Sequence, residues 1–152
     1  MSLLAFRQPL VTALSGALAA ATDPLPTLVL GDRRLARGLG ALRPNVIAAH
    51  SRSRRRAGYE LVCSDTSLPL PARSLSGLVA LELGECSDWH ERLGEWARVV
   101  IPGGAVVSVD AGTSRARAAE LTRRILCAGL TGIEQRQVGR KLVTRGLVSA
   151  AY

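Results

Sequence analysis

Aromatic side chains make up only 3% of the 152 residues. A core for this chain must therefore be built from Leu, Val, Ala and Ile. Lysine is nearly missing as well: of 20 basic residues, Lys141 alone is not arginine. The three cysteines, Cys63, Cys86 and Cys127, stand far apart with no C-x-x-C spacing, and His50 and His90 are not placed as co-ligands. That pattern argues against a zinc site and predicts free thiols in a reducing cytoplasm. No apolar run reaches the roughly 18 residues that a membrane-spanning helix needs, so no membrane partner is expected. Acidic residues are the minority, 12 against 20, which leaves a net charge of +8. A balance of that sign keeps an anionic partner open without naming one.

The apolar fraction, 47%, is sufficient for a packed core. The length suits one domain spanning residues 1–152, with an N-terminal helix in 1–23 and a core in 27–150. "LVTALSGALAAA" (Leu10 to Ala21) has the small-residue ending of a signal peptide. Leu10, Leu14 and Leu18 nevertheless recur at helical spacing behind Pro9, a good first-turn residue, which predicts an amphipathic first helix. Short apolar runs follow at Thr27–Leu30, Val46–His50, Tyr59–Asp65, Gly77–Leu83 and Ala105–Asp110, each read as a strand. Helical patterns lie between them. Trp89, Leu93, Trp96 and Val100 share one helical face, with Asp88 and Glu91 placed as a capping box. Both tryptophans read as core or interface. "IPGG" (Ile101 to Gly104) reads as a tight turn. Ser114 caps a last helix, and Gly129 followed by Leu130 reads as its left-handed stop. "IEQRQVG" and "KLVTRGLVSA" read as an antiparallel pair. Alternating strands and helices predict an α/β fold: a doubly wound, mostly parallel, seven-stranded Rossmann-like sheet with an antiparallel C-terminal strand.

One stretch carries most of the functional question. "TLVLGDRRLARGLG" (Thr27 to Gly40) opens as a nucleotide-binding strand and turn, an apolar run stopped by Gly31. It then continues with Asp32, Arg33 and Arg34 where such a turn would carry more glycines.

Farther along, Asp65, "LPLPARSLSG" (Leu68 to Gly77), "EWARVVIPGG" (Glu95 to Gly104) and "AVVSVD" (Ala105 to Asp110) follow one another in order. Together they resemble the class I S-adenosylmethionine-dependent methyltransferases of the small, cofactor-plus-sheet type. The resemblance covers about Thr27 to Ala150. It implies a cofactor site at the carboxyl ends of the first strands, around Gly31, Asp32, His50, Asp65 and Thr66. Against the family's pattern, Gly31 is the one glycine kept from the first turn. Arg33 and Leu35 hold the second and third glycine positions, and Val29 holds the leading acidic one. His50 stands where a carboxylate would take both ribose hydroxyls, which a neutral imidazole cannot reproduce. Asp65 keeps the acid that would face the adenine amine. Ser76 or Gly77 replaces the Asp entering the fourth strand. Arg33 and Leu35 are expected to fill space that the cofactor would use.

The implied function is a methyltransferase-like protein with a degenerate cofactor motif. Such a protein would be a non-catalytic binding, scaffold or regulatory subunit that holds no cofactor and pairs with itself or another protein. An active small methyltransferase using S-adenosylmethionine is the alternative. No catalytic residue can be assigned, and Glu82 and Glu85 lie where family members place substrate or cofactor contacts. Asp65 reads equally as a loop cap before Leu68, and His50 as ordinary surface. A third reading rests on arginine. Arg33, Arg34 and Arg37 begin a short helix whose amides attract anions, and Arg52, Arg54, Arg55 and Arg56 form the densest charge run. Together they suit nucleic acid, although no aromatic residue interleaves for stacking. A solvated positive face is the simpler account of both clusters.

Overall fold

The computed structural model describes residues 3–18, 24–50, 60–62 and 67–149. Asp65, Thr66, Arg52, Arg54, Arg55 and Arg56 lie outside them. The elements run α1 (Leu3–Leu18), β1 (Thr27–Leu30), α2 (Arg33–Gly40), β2 (Val46–His50), β3 (Glu60–Val62) and β4 (Leu75–Leu81). A single 3-10 turn (Leu83–Glu85) leads to α3 (Trp89–Val99), β5 (Val100–Ala111), α4 (Arg115–Cys127), β6 (Thr131–Val138) and β7 (Lys141–Leu147). The strands form one seven-stranded sheet in the order β3-β2-β1-β4-β5-β7-β6. β1 pairs in parallel with both β2 and β4, while β7 is antiparallel to β5 and to β6. This is the mostly parallel sheet with an antiparallel C-terminal strand that the alternating pattern predicts.

The sheet is covered on both faces, which is why its central strands are apolar without interruption. Alternate residues supply opposite faces. Leu28, Leu78 and Val106 join Leu93, Trp96, Leu121 and Ile125 of α3 and α4. Val29, Val79 and Val107 join Val11, Leu14 and Leu18 of α1 and Leu35 and Leu39 of α2. Trp96 is 1% exposed, a core residue. Trp89 is half-buried, with the guanidinium groups of Arg124 and Arg123 at 5.3 and 5.7 Å from its ring centre.

Several local expectations hold in detail. Gly129 adopts φ +86°. Its N–H donates to Leu126 O, and Leu130 N–H to Ile125 O, the paired bonds of a Schellman stop. Ser114 accepts from Arg117 N–H. Gly38, which weakens α2 by propensity, has a packing reason: a Cβ there would lie 3.0 Å from Val11 Cγ2 of α1.

Others are corrected. Pro9 lies inside α1 rather than in its first turn. Asp88 makes no capping bond. Its ψ of 27° departs from the extended cap conformation, and its carboxylate instead takes Arg92 Nε at 2.6 Å. "IPGG" is not a turn between elements but an irregular stretch within β5. Gly104 is required there, since a Cβ would meet Ser76 O at 2.6 Å. Among the described residues, no helix is long and apolar enough to cross a membrane.

Candidate functional site

The chain leaves β1, builds β2 and β3 outward, then returns to lay β4 on the other side of β1. Strand order reverses at that point, and open α/β sheets bind ligands just outside the carboxyl ends of the strands there. Two segments meet at this crevice, the loop from β1 to α2 and the loops following β4 and β5.

The first loop is short. Gly31 adopts φ +85°, a left-handed conformation that favours glycine. Its N–H donates to Ala49 O of β2 at 2.9 Å. A Cβ built on Gly31 would meet nothing within 4 Å among the described residues. Asp32 then turns back over the start of α2. Its backbone is extended, and Oδ1 accepts from Leu35 N–H at 2.9 Å. The positive end of this eight-residue helix is thus already met by a carboxylate of the chain itself. Of the amides at this helix end, on which the reading of Arg33, Arg34 and Arg37 around an external anion draws, Asp32 takes up that of Leu35.

Leu35 does not stand in the cofactor's space. It is 2% exposed and packs with Leu39 and the α1 side chains beneath the sheet. The third glycine position lies within the first turn of α2, on the face turned to the sheet. A large side chain there fills core rather than crevice. The expectation of two obstructing side chains reduces to one, Arg33, which is half-buried at the first helical position.

His50 closes β2 beside the end of β1, and its side chain falls outside the described residues, as do Asp65 and Thr66. Ser76 is buried near the amino end of β4, where its hydroxyl donates to Leu25 O at 2.7 Å. A Cβ on Gly77 would lie 2.8 Å from Leu18 Cδ2. The residues replacing the family's strand-entry Asp thus tie the bottom of the sheet and do not face the crevice.

The second segment is polar and closely bonded. Asp110, 0% exposed at the end of β5, accepts from Gly84 N–H at 2.7 Å and from the Ser108 hydroxyl. Burial pushes its carboxyl above the ordinary aspartate range, opposed by those two hydrogen bonds. Glu82 is held at φ +55°, with Oε2 accepting from Ala111 N–H at 3.3 Å and Oε1 lying 3.7 Å from Lys141 Nζ. Glu85 pairs with Arg117 at 2.7 Å. Arg124 reaches across from α4 to donate to Leu83 O and Cys86 O at 2.9 and 3.2 Å. Arg123 and Arg124 together pull the Glu120 carboxyl down to about 2.

Sequence reasoning named Glu82 and Glu85 here but missed Asp110, Ser108, Arg117 and Lys141. A signal did exist: Ser108 and Asp110 are the polar positions of "AVVSVD", two apart and so on one face of an otherwise apolar strand.

Neither a protein-family model nor any curated protein matches the sequence. Solved structures do match its shape. The Burkholderia thailandensis 1,6-didemethyltoxoflavin-N1-methyltransferase, solved with 1,6-didemethyltoxoflavin and S-adenosylhomocysteine, superposes with TM-score 0.72 at 17% identity over 91% of this chain and 78% of its own. A chain of the Haloferax volcanii complex between the Trm112 methyltransferase activator and a methyltransferase gives 0.69 at 15%, over 96% and 94%. Human N-acetylserotonin methyltransferase in complex with S-adenosylmethionine gives 0.65 at 13%, over 95% of this chain but 56% of the human one. The chain therefore has the class I S-adenosylmethionine-dependent methyltransferase fold.

Proposed function

We propose that this is a methyltransferase-fold protein that no longer transfers methyl groups and serves as a binding, scaffold or regulatory subunit. One observation carries the reading: among the described residues, acidic groups around the crevice serve the fold itself. Asp32 caps α2, Asp110 holds Gly84 and Ser108, Glu82 holds Ala111 and faces Lys141, and Glu85 pairs with Arg117. Methyl transfer depends chiefly on holding sulfonium and nucleophile in line. Groups already bonded within the chain are poor instruments for that. The Haloferax volcanii complex, which joins a methyltransferase activator to a second chain, is consistent with a protein partner.

A second reading, an active small methyltransferase, draws on Gly31. Its positive φ, with no described residue within 4 Å of a Cβ placed there, suits close approach of a cofactor to main chain. Were it loaded, Gly31 would supply the bare main chain, with Asp65 and His50 toward adenosine, and the cofactor would bring the methyl group.

Titration calorimetry with S-adenosylmethionine and S-adenosylhomocysteine separates the two readings. The first expects no binding heat up to about 1 mM ligand. Micromolar affinity for either compound overturns it.

A further inference from the structure

β6 is the last strand of the sheet, paired on one side only among the described residues. Most of its side chains are exposed, and its backbone presents a free edge. The register shows which groups lie along that edge. Val138 and Lys141 close the two-residue hairpin Gly139–Arg140, so they form a hydrogen-bonded pair. By alternation, Glu134, Arg136 and Val138 spend their N–H and C=O groups on β7. Gln135 and Gln137 point theirs outward. Edges of this kind recruit another strand unless blocked.

From this edge the geometry points to a second copy of the same chain, docking β6 against β6 about a two-fold axis through Gln135. This gives the proposed binding or scaffold role a partner, the chain itself, and does not depend on the state of the cofactor crevice. Charge selects both the occupant and the register. Centred on Gln135, antiparallel pairing sets Glu134 opposite Arg136 of the other copy, and the symmetry repeats the pair. These two positions are non-hydrogen-bonded ones in the new ladder, where facing side chains come closest. Shifting the axis by one residue sets Arg136 against Arg136, which like-charge repulsion disfavours.

Glu134 has the freedom to respond. Its side chain is 71% exposed, with one contact to Arg145 at 3.2 Å, so an incoming Arg136 would complete an Arg–Glu–Arg row. Room for it exists on that face. A groove of about 470 Å³ lies between α1 and the β6–β7 pair, floored by Ala13, Gly16 and Ala17 and reached by Arg136. At the other end of β6, Gly132 with φ +58° marks a break in register between Thr131 and Glu134. That bulge leaves Glu134–Arg136 as the regular part of the new ladder, with Gln137 facing Ile133 of the other copy. Because the same edge serves both copies, the assembly closes at two.

Sedimentation velocity on the full chain, with Glu134→Arg, Arg136→Glu and the double swap, tests the pairing. The exposed positions of both side chains protect the fold, and thermal melting checks it. The wild type is expected to dimerise at on the order of 100 µM or below. Each single swap, setting like charges face to face twice, should weaken the dimer about tenfold. The double swap should restore it. A wild type monomeric at that concentration overturns the proposal. So does a dimer indifferent to the single swaps, or one that the double swap fails to rescue. Calorimetry with the cofactor reports separately on the crevice.

Discussion

The two segments that meet at the crevice were built on opposite plans. The β1–α2 loop has one left-handed glycine, one capping carboxylate and, among the described residues, nothing beside that glycine. The loops after β4 and β5 are bound to one another by a buried aspartate, ion pairs and an arginine reaching over from α4. The first segment departs most from the methyltransferase pattern and yet has no described residue against its glycine. The second, where sequence pattern says least, is locked. A departure from a family motif therefore has to be read by where its side chain goes, and Leu35 is the sharpest case.

Leu35→Gly restores the family's third glycine, and it should have the largest effect of any change here. Removing a fully buried leucine costs about 2–5 kcal/mol, and a helical glycine adds about 1. The expected loss is about 4 kcal/mol in chemical denaturation, with no gain in cofactor affinity. A variant that keeps its stability, or one that gains S-adenosylhomocysteine binding, would place Leu35 in the crevice after all.

The locked segment answers to Asp110. Asp110→Ala leaves the Gly84 N–H without its acceptor, at a cost of about 2 kcal/mol. Asp110→Asn keeps an acceptor and removes the charge. Burial holds the folded carboxyl above its ordinary range, so its contribution to stability is complete below about pH 4 and is lost as pH rises through the raised value. The wild type should therefore lose stability relative to Asp110→Asn between pH 4 and neutrality. A difference that is flat, or that grows with pH in favour of the wild type, would mean that hydrogen bonding rather than burial governs the group.

The fold was legible because its signals are local and repeated: apolar runs of strand length, Ser114 before a helix, Gly129 and Leu130 after it. The site was legible only as a set of departures. Whether Leu35 faced crevice or core depended on where α2 began, which Asp32 decides by capping Leu35 N–H. Asp88 misled in the reverse sense. Its spacing suited a cap, and Arg92, one turn on, competed successfully for the carboxylate. Asp110 shares a strand face with Ser108, which spacing does encode, but its other partner, Gly84, arrives from another loop. Spacing along the chain does not encode that second meeting.

The smallest effect belongs to Arg33, the remaining one of the two side chains expected to obstruct the cofactor. Arg33→Gly sits at the first position of α2, where the N–H needs no intrahelical partner, so the stability change should stay within about 0.5–1 kcal/mol. Its value lies in binding. If bulk at the second glycine position alone excludes the cofactor, this variant acquires affinity for S-adenosylhomocysteine. The reading advanced here expects none from the single change, because the ribose carboxylate is missing too. Arg33→Gly joined with His50→Asp should then bind at on the order of 100 µM, measured by calorimetry. Affinity appearing with Arg33→Gly alone would make the first loop a gate closed by one arginine rather than a site given over to the fold.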